Sequence, residues 1–564
     1  MKRRDFVKKS LLASAAPLIL NSIPIRLMSG QTALEKLAAN SCNDNILVIL
    51  QMHGGNDGIN TLVPMDQLDS GLYQFVRPNI ALGKTGTRGV ISLDSTLGSN
   101  NVGLHPDMIG MKNLYDAGKL AVVQGVSYEH HNQSHFRSRD IMFMGGGYSD
   151  YLNSGWVGRY LQNQVAPKIY PDDFPNTEYP DPLALEFGNE ISLIFHQGNN
   201  IPTSISINDP QSFFDLVNEL PGFDDKPNLD PRGIPPSALD GSLYTQELNW
   251  ILGLEGKTED YHTRLLETYN AGKAKSKGVS YPEKYPYTAP SRWLKNPLSG
   301  QLQIVANLID GGSKTKVYLL KIGGFDTHAS QTIAGNATMG VHATLLYHIS
   351  SAMQAFQEDL KQRGIDDRVL TVTTSEFGRR IQSNGSYGTD HGIGGPTFVF
   401  GKYANPGVLG TPPDLNEENV QMQYDYRQIY ATILKDWFCV DATLVDSEFM
   451  VGTYQDKGTV LPLIDKSAVG VNDFIVSRFR QNACYPNPAK NFTTFSFYSN
   501  GNYPVTLTLN NLQGQTIKTY IANEMYGAGE HQFVGDLTDV QPGSYVYTLK
   551  IGSILNDTKK LVVL

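Results

Sequence analysis

Apolar residues form near-continuous runs through most of the chain and strict alternations close to its end. Asn45-Ile-Leu-Val-Ile-Leu-Gln51 is almost wholly apolar, the pattern of a strand covered on both faces. Similar runs recur at Lys119–Gln124, Lys316–Ile322, Arg368–Thr374 and Thr397–Phe400. Between the third and fourth runs, Leu345, Ile349, Met353, Phe356 and Leu360 follow at three- and four-residue steps, which predicts a helix from about His342 to Arg363. Strand, helix, strand with short joints is the βαβ pattern, so the expected class is α/β with a mostly parallel sheet covered by helices. From about Tyr170 to Pro297 the chain is rich in Pro, Asp and Tyr and weakly periodic, which reads as an insertion or cap on the sheet. Beyond Cys484, Val505, Leu507 and Leu509 alternate with polar residues, as do Tyr545, Tyr547, Leu549 and Ile551. Gly514, Gly527, Gly529 and Gly543 punctuate these runs, predicting a small antiparallel β-sandwich. The expected organisation is a leader over 1–30, a body over 40–470, a linker over 471–483 and the sandwich over 484–564.

The leader expectation rests on Met1-Lys-Arg-Arg-Asp-Phe-Val-Lys-Lys9, followed by an apolar stretch from Leu11 to about Ile25. A basic start before a short apolar segment is the pattern of an export signal, too short for a membrane span. The pair Arg3-Arg4, with Phe6 two residues on, resembles a twin-arginine signal. No later segment is apolar for long enough to span a bilayer, so no transmembrane span is expected in the mature protein.

Charge narrows the partners. The 564 residues carry 46 Lys and Arg against 55 Asp and Glu, a net −9, which argues against nucleic acid as a partner. Cys42, Cys439 and Cys484 are too few for a disulfide framework and form no CxxC pair, so burial is expected to hold the fold.

In an open α/β sheet, functional loops gather at the carboxyl ends of strands. Three runs end in polar clusters there: Gln51-Met-His-Gly-Gly-Asn-Asp57, Gly323-Gly-Phe-Asp326-Thr-His328 and Thr373-Thr-Ser-Glu376-Phe-Gly-Arg379. A fourth loop reads Gly388-Thr-Asp390-His391-Gly392. Several carboxylates in one cleft repel unless a cation or protons neutralise them, which makes Asp57, Asp326, His328, Glu376, Asp390 and His391 candidate metal ligands. Their oxygen and nitrogen donors suit one or two divalent ions: Zn²⁺, Mn²⁺, Mg²⁺ or Ca²⁺. Each has a plainer alternative. Asp57 either ligates or caps the next helix, Asp326 and His328 either share a ligand or sit in a surface turn, and Glu376 either ligates or pairs with Arg379 or Arg380. His53, His130 and His131 are read as polar loop residues or as supports behind the ligands.

A nucleophile is best sought in Glu129-His-His-Asn-Gln-Ser-His-Phe-Arg-Ser-Arg-Asp140. Asn132 or Ser134 stands where a helix N-cap belongs, and Ser134 there would face backbone N–H donors that stabilise an alkoxide or an anion. Arg137, three residues on, is placed to hold two oxygens of a phosphate-like group, and the pair would act in catalysis. The alternative is a plain cap with Arg137 in a surface ion pair.

These motifs carry a resemblance. Leu47-Val-Ile-Leu-Gln-Met-His-Gly-Gly-Asn-Asp-Gly-Ile-Asn-Thr-Leu-Val-Pro64, Leu104-His-Pro-Asp-Met108, Leu114–Gly125, Ser134-His-Phe136, Gly324-Phe-Asp-Thr-His328, Ser375-Glu-Phe-Gly-Arg379 and Gly388-Thr-Asp-His-Gly392 resemble the twin-arginine-exported family called domain of unknown function 1501. That family is similar in turn to the alkaline phosphatase and sulfatase superfamily, which uses two metals and an activated Ser, Thr or formylglycine. The resemblance implies an alkaline-phosphatase-like sheet, with Asp57 as the first-strand ligand, Asp326 and His328 as the middle pair and His391 as the late histidine. Phe377 departs from it, standing where an Asp-His pair has its second member, so that either one metal site is weakened or Asp390 substitutes. No cysteine lies in a sulfatase-type Cys-x-Pro/Ala-x-Arg pattern. Near the end, Tyr485-Pro-Asn-Pro-Ala489, Leu512-Gln-Gly514, Gly543-Ser-Tyr-Val-Tyr547 and Lys559-Lys-Leu-Val-Val-Leu564 resemble the sorting domain of type IX secretion substrates. The expectation is therefore an exported, metal-dependent hydrolase-like protein of phosphate or sulfate esters. It would pass the periplasm to the medium or cell surface, with twin-arginine and type IX machinery as partners. The alternative is a non-catalytic surface or binding protein on the same fold.

Overall fold

The structure, a computed structural model, describes residues 44–93, 101–208, 261–465, 484–499, 502–511, 515–527, 529–551 and 555–564, with strand segments at 19–20, 23–24 and 479–481. The expected leader and linker otherwise lie outside the described residues.

Nine strands build the central sheet: β1 Ile46–His53, β2 Leu120–Ser127, β3 Ala184–Phe187, β4 Ser204–Ile207, β5 Val317–Gly323, β6 Val369–Thr374, β7 Gly395–Phe400, β8 Gly407–Leu409 and β9 Tyr424–Asp425. Their order is β8-β2-β7-β6-β1-β5-β3-β4, with β9 also paired to β2. All pairings are parallel except those of β7, which runs antiparallel to both β6 and β2. The apolar runs of the sequence thus become the sheet's interior. Within the stretch read as an insertion or cap, residues 184–187 and 204–207 extend the sheet edge.

Alternation along β1 divides the core. Leu47 and Ile49 face a cluster with Phe143, Trp156 and Tyr430, while Val48, Leu50 and Met52 face one with Leu114, Val305 and Leu345. The helices supplying these residues are α1 Ile109–Asp116, α2 His135–Met144, α3 Trp156–Val165, α4 Pro297–Gly311, α5 Val341–Arg363 and α6 Tyr426–Thr432. With helices on both faces, every residue of β2 is buried, as a doubly covered strand requires. Burial is not the sole restraint, since Cys439 is disulfide-bonded; Cys484 is a free, buried thiol. No helix among the described residues is long and apolar enough to cross a membrane.

Towards the end of the chain lie two antiparallel sheets, Phe479–Gln481, Phe492–Ser499 and Gly529–Asp536 in one, Thr516–Tyr526, Tyr503–Asn510, Gly543–Ile551 and Leu555–Val563 in the other. The alternating Val505, Leu507, Leu509, Tyr547, Leu549 and Ile551 are all buried, in one cluster with Phe495 and Phe497.

Candidate metal centre

The carboxyl ends of β1, β5 and β6 lie side by side, with Gly323 in register with His53 and Thr374 with Gln51. The loop leaving β1 must pass the loop leaving β5 closely. At Gly54 φ is +123°, and a Cβ there would lie 2.3 Å from the Asp326 backbone nitrogen. Glycine is required on both counts.

Asp326 is the meeting point. Its Oδ1 lies 3.4 Å from His135 Nε2, 3.1 Å from His328 Nε2 and 3.4 Å from His391 Nε2. The fully buried Arg379 guanidinium donates to the same oxygen at 2.6 Å and to the Gly55 carbonyl at 2.8 Å, which ties the two loops together. Burial opposes ionisation of Asp326, but Arg379 outweighs it and holds the carboxyl below its usual range.

Each imidazole is committed through its other nitrogen. His135 Nδ1 donates to Glu376 Oε1 at 2.9 Å, His328 Nδ1 to Asp390 Oδ1 at 3.3 Å, and His391 Nδ1 to the Gln133 carbonyl at 2.9 Å. A neutral imidazole that donates through Nδ1 presents a bare lone pair at Nε2. Three such lone pairs therefore converge on a carboxylate oxygen, with the Nε2 atoms of His328 and His391 only 2.9 Å apart. His135 Nε2 is buried and meets no hydrogen-bond donor. Burial, reinforced by Arg379, lowers the pKa of His391. Electron-rich atoms packed this way are neutralised by a cation or by protons between them. The ligating atoms of His135, Asp326 and His391 lie within 4.8 Å of one another, and ligands about 2.0–2.1 Å from a zinc ion stand at roughly the 3.4 Å seen from Asp326 to His135 and His391. The donor set fits a divalent metal.

Of the six ligand candidates read from the sequence, Asp326, His328 and His391 meet here. The other three do not point at the centre. Asp390 holds His328 from outside. Glu376 holds His135 from behind, and its Oε1 also accepts from the Gly54 N–H at 2.8 Å; neither Arg379 nor Arg380 is its partner. Asp57 is fully buried, accepting from Arg77 Nη1 at 2.7 Å and Gln331 Nε2 at 2.6 Å while capping the short helix Gly58–Thr61. Burial opposes ionisation, but Arg77, His342 and Gln331 outweigh it and lower its pKa. An ion-paired carboxylate with no exposed edge has no need of a metal.

Ser134 is the N-cap of α2, its Oγ accepting from the Arg137 N–H at a long 3.4 Å, between Gln133 and His135, which both contact the centre. The Arg137 guanidinium turns away, donating to the Tyr148 carbonyl at 2.9 Å and stacking 3.8 Å over the Tyr151 ring. The carbonyl contact uses Nη2, which also donates to the Asp150 carbonyl. Phe377 forms a wall instead of a ligand, its ring 4.7 Å from that of His135 and 4.6 Å from that of His391. His135 was not among the sequence candidates, although the Ser134-His-Phe136 motif contained it. His131 supports the centre indirectly: its Nε2 donates to the Glu376 carbonyl at 3.2 Å, its Nδ1 accepts from Gln133 N–H, and burial lowers its pKa to about 4.

Known proteins match this chain in two stretches. Residues 299–450 match the family "Protein of unknown function (DUF1501)". That stretch contains Asp326, His328, Glu376, Asp390 and His391. Residues 483–564 match the secretion system C-terminal sorting domain, which marks the protein for export to the surface or the medium. No curated protein matches. Among solved structures, a PsFucS1 sulfatase from Pseudoalteromonas sp. aligns at 11% identity over 90% of this chain and 87% of its own, with a TM-score of 0.33. A protein in the alkaline phosphatase superfamily from Vibrio parahaemolyticus aligns at 9% identity over 89% and 91%, with a TM-score of 0.30. A β-glucosidase from Listeria innocua is similar at 12% identity over 15% of this chain, which spans only 16% of that protein, with a TM-score of 0.13.

Proposed function

We propose that the chain is an exported metal-dependent hydrolase of phosphate or sulfate esters, with Ser134 as nucleophile. The supporting observation is the convergence of three imidazole lone pairs on Asp326, each ring held by an acceptor at its far nitrogen. Rings oriented in this way are the usual supports of a bound transition-metal ion. His135, His328, His391 and Asp326 would hold the ion, and three nitrogen donors favour Zn²⁺ over the oxygen-preferring Mg²⁺ or Ca²⁺. Bound there, a divalent ion supplies Lewis-acid polarisation of an ester oxygen and a lowered pKa for a neighbouring hydroxyl. Ser134 brings a hydroxyl held by a single long hydrogen bond at the N-terminus of α2, where first-turn N–H groups favour developing negative charge. Twin-arginine passage before type IX secretion belongs to the same proposal, since it would let the metal load in the cytoplasm.

The non-catalytic reading has its own support: Asp57 is sealed by Arg77, Arg137 is engaged and Phe377 fills a ligand position, so a second metal site is not assembled from these residues. Metal analysis of the purified protein, with turnover of 4-nitrophenyl phosphate and 4-nitrophenyl sulfate, separates the two. One bound transition metal and turnover abolished by Ser134→Ala are expected for the hydrolase. Bound metal without turnover of any ester establishes the binding protein, and full turnover by Ser134→Ala removes the serine.

A further inference from the structure

Gln331 lies between β5 and α5 and has no exposed surface. A buried amide must find its partners inside the protein, and this one does. Its Nε2 donates to Asp57 Oδ2 at 2.6 Å, and its Oε1 accepts from Thr327 Oγ1 at 3.0 Å and from Thr389 Oγ1 at 2.9 Å. A carboxylate only accepts, which decides the end of the amide that faces Asp57 and leaves its oxygen for the two hydroxyls. The backbone is held as well: the Gln331 N–H donates to the Tyr387 carbonyl at 2.9 Å, and its carbonyl accepts from the His342 N–H at 3.2 Å.

The two threonines put this amide directly behind the candidate metal centre. Thr327 stands between Asp326 and His328, and Thr389 immediately before Asp390 and His391. Asp326 and His328 meet at the centre, while Thr327 turns inward to Gln331. The two loops run close together: the Thr389 N–H donates to the Thr327 carbonyl at 3.1 Å, and a Cβ on Gly388 would lie 2.4 Å from the His328 carbonyl. Asp57, the third partner, is fixed in turn by Arg77 at 2.7 Å. Apolar side chains would fill the same space without burying an amide and two hydroxyls, but they would let the loops slide. Directed hydrogen bonds in a water-free interior hold one spacing.

We infer that Gln331 is a positioning residue of the metal centre: through Thr327 and Thr389 it sets the distance of Asp326 and His328 from His391, with Asp57 as its anchor. The inference rests on the metal proposal. It gives Asp57 a task at the site without direct ligation.

Zn²⁺ affinity by chelator competition and the visible d–d spectrum of the Co²⁺-loaded full chain test it. Thr327→Val and Thr389→Val keep each side chain's shape and remove its hydroxyl, whereas Thr327→Ser and Thr389→Ser keep the hydroxyl. Each valine variant is expected to weaken Zn²⁺ binding by about tenfold and to shift the Co²⁺ bands, with the serine variants close to the parent protein. Gln331→Met is expected to weaken binding at least as much, and adding Thr327→Val to it should change nothing further. Valine variants with the parent's affinity and bands overturn the inference, and so do serine variants that lose as much as the valines. Additive losses on combining Gln331→Met with Thr327→Val overturn it too. If the parent protein binds neither ion, the metal proposal fails and takes this inference with it; metal on the parent with unmoved variants removes this inference alone. The four threonine variants decide the outcome where Gln331→Met does not fold.

Discussion

Asp57 and Asp326 follow strand ends on the same sheet edge, yet their carboxylates meet opposite surroundings. Asp57 is sealed from water and shares Arg77 with the carbonyls of Arg380 and Ile381, so this ion pair also pins the loop that carries His391. Breaking a buried pair strands the remaining charge, so Arg77→Met should cost about 3–5 kcal/mol in urea unfolding. Because Arg77 holds the folded-state pKa of Asp57 below the ordinary 3.8, the unfolded chain binds the extra proton first. The contribution of Asp57 is therefore fully present above the ordinary carboxyl range and is lost as pH falls through the lower folded value. Asp57→Asn should remove this part of the acid sensitivity, measured by comparing the two proteins' unfolding between about pH 5 and pH 3. Asp326 is instead half exposed, with lone pairs of three rings around one oxygen.

At the scale of elements, the strands were legible because a doubly covered strand cannot afford polar positions, and α5 because its apolar residues keep helical steps. β3, β4, β8 and β9 were not, since two to four residues carry too little pattern to be told from a loop. The loops were legible as polar clusters, but not which side chain looks inward. Arg77 lies 20 residues from Asp57 with no motif between them. His135 was hidden by the cap beside it, where a serine in the N-cap position draws the chemical reading to itself; a histidine directly after such a cap, followed by aromatic Phe136, was the available signal. How tightly the loops pass each other is also testable. Gly54→Ala places a Cβ against the Asp326 backbone at a φ that side chains disfavour. It is expected to cost about 1–3 kcal/mol and to weaken metal retention against a chelator, as the β1 and β5 loops separate.

Across the whole molecule, two differently built cores serve two tasks. The central sheet positions the candidate site, and the C-terminal sheets carry the match to the sorting domain. Leu507 has no exposed surface in the second core. Leu507→Ala should lower the stability of that region by about 2–5 kcal/mol and reduce secretion, while metal stoichiometry stays unchanged. The one reversed strand of the central sheet has a bearing on how the site could be altered by evolution. Because β7 runs back beside β6, the excursion between Thr374 and Gly395 departs from and returns to a single rim without traversing either helical layer. It can lengthen, shorten or exchange residues, His391 among them, while the strand order of the sheet is left as it was.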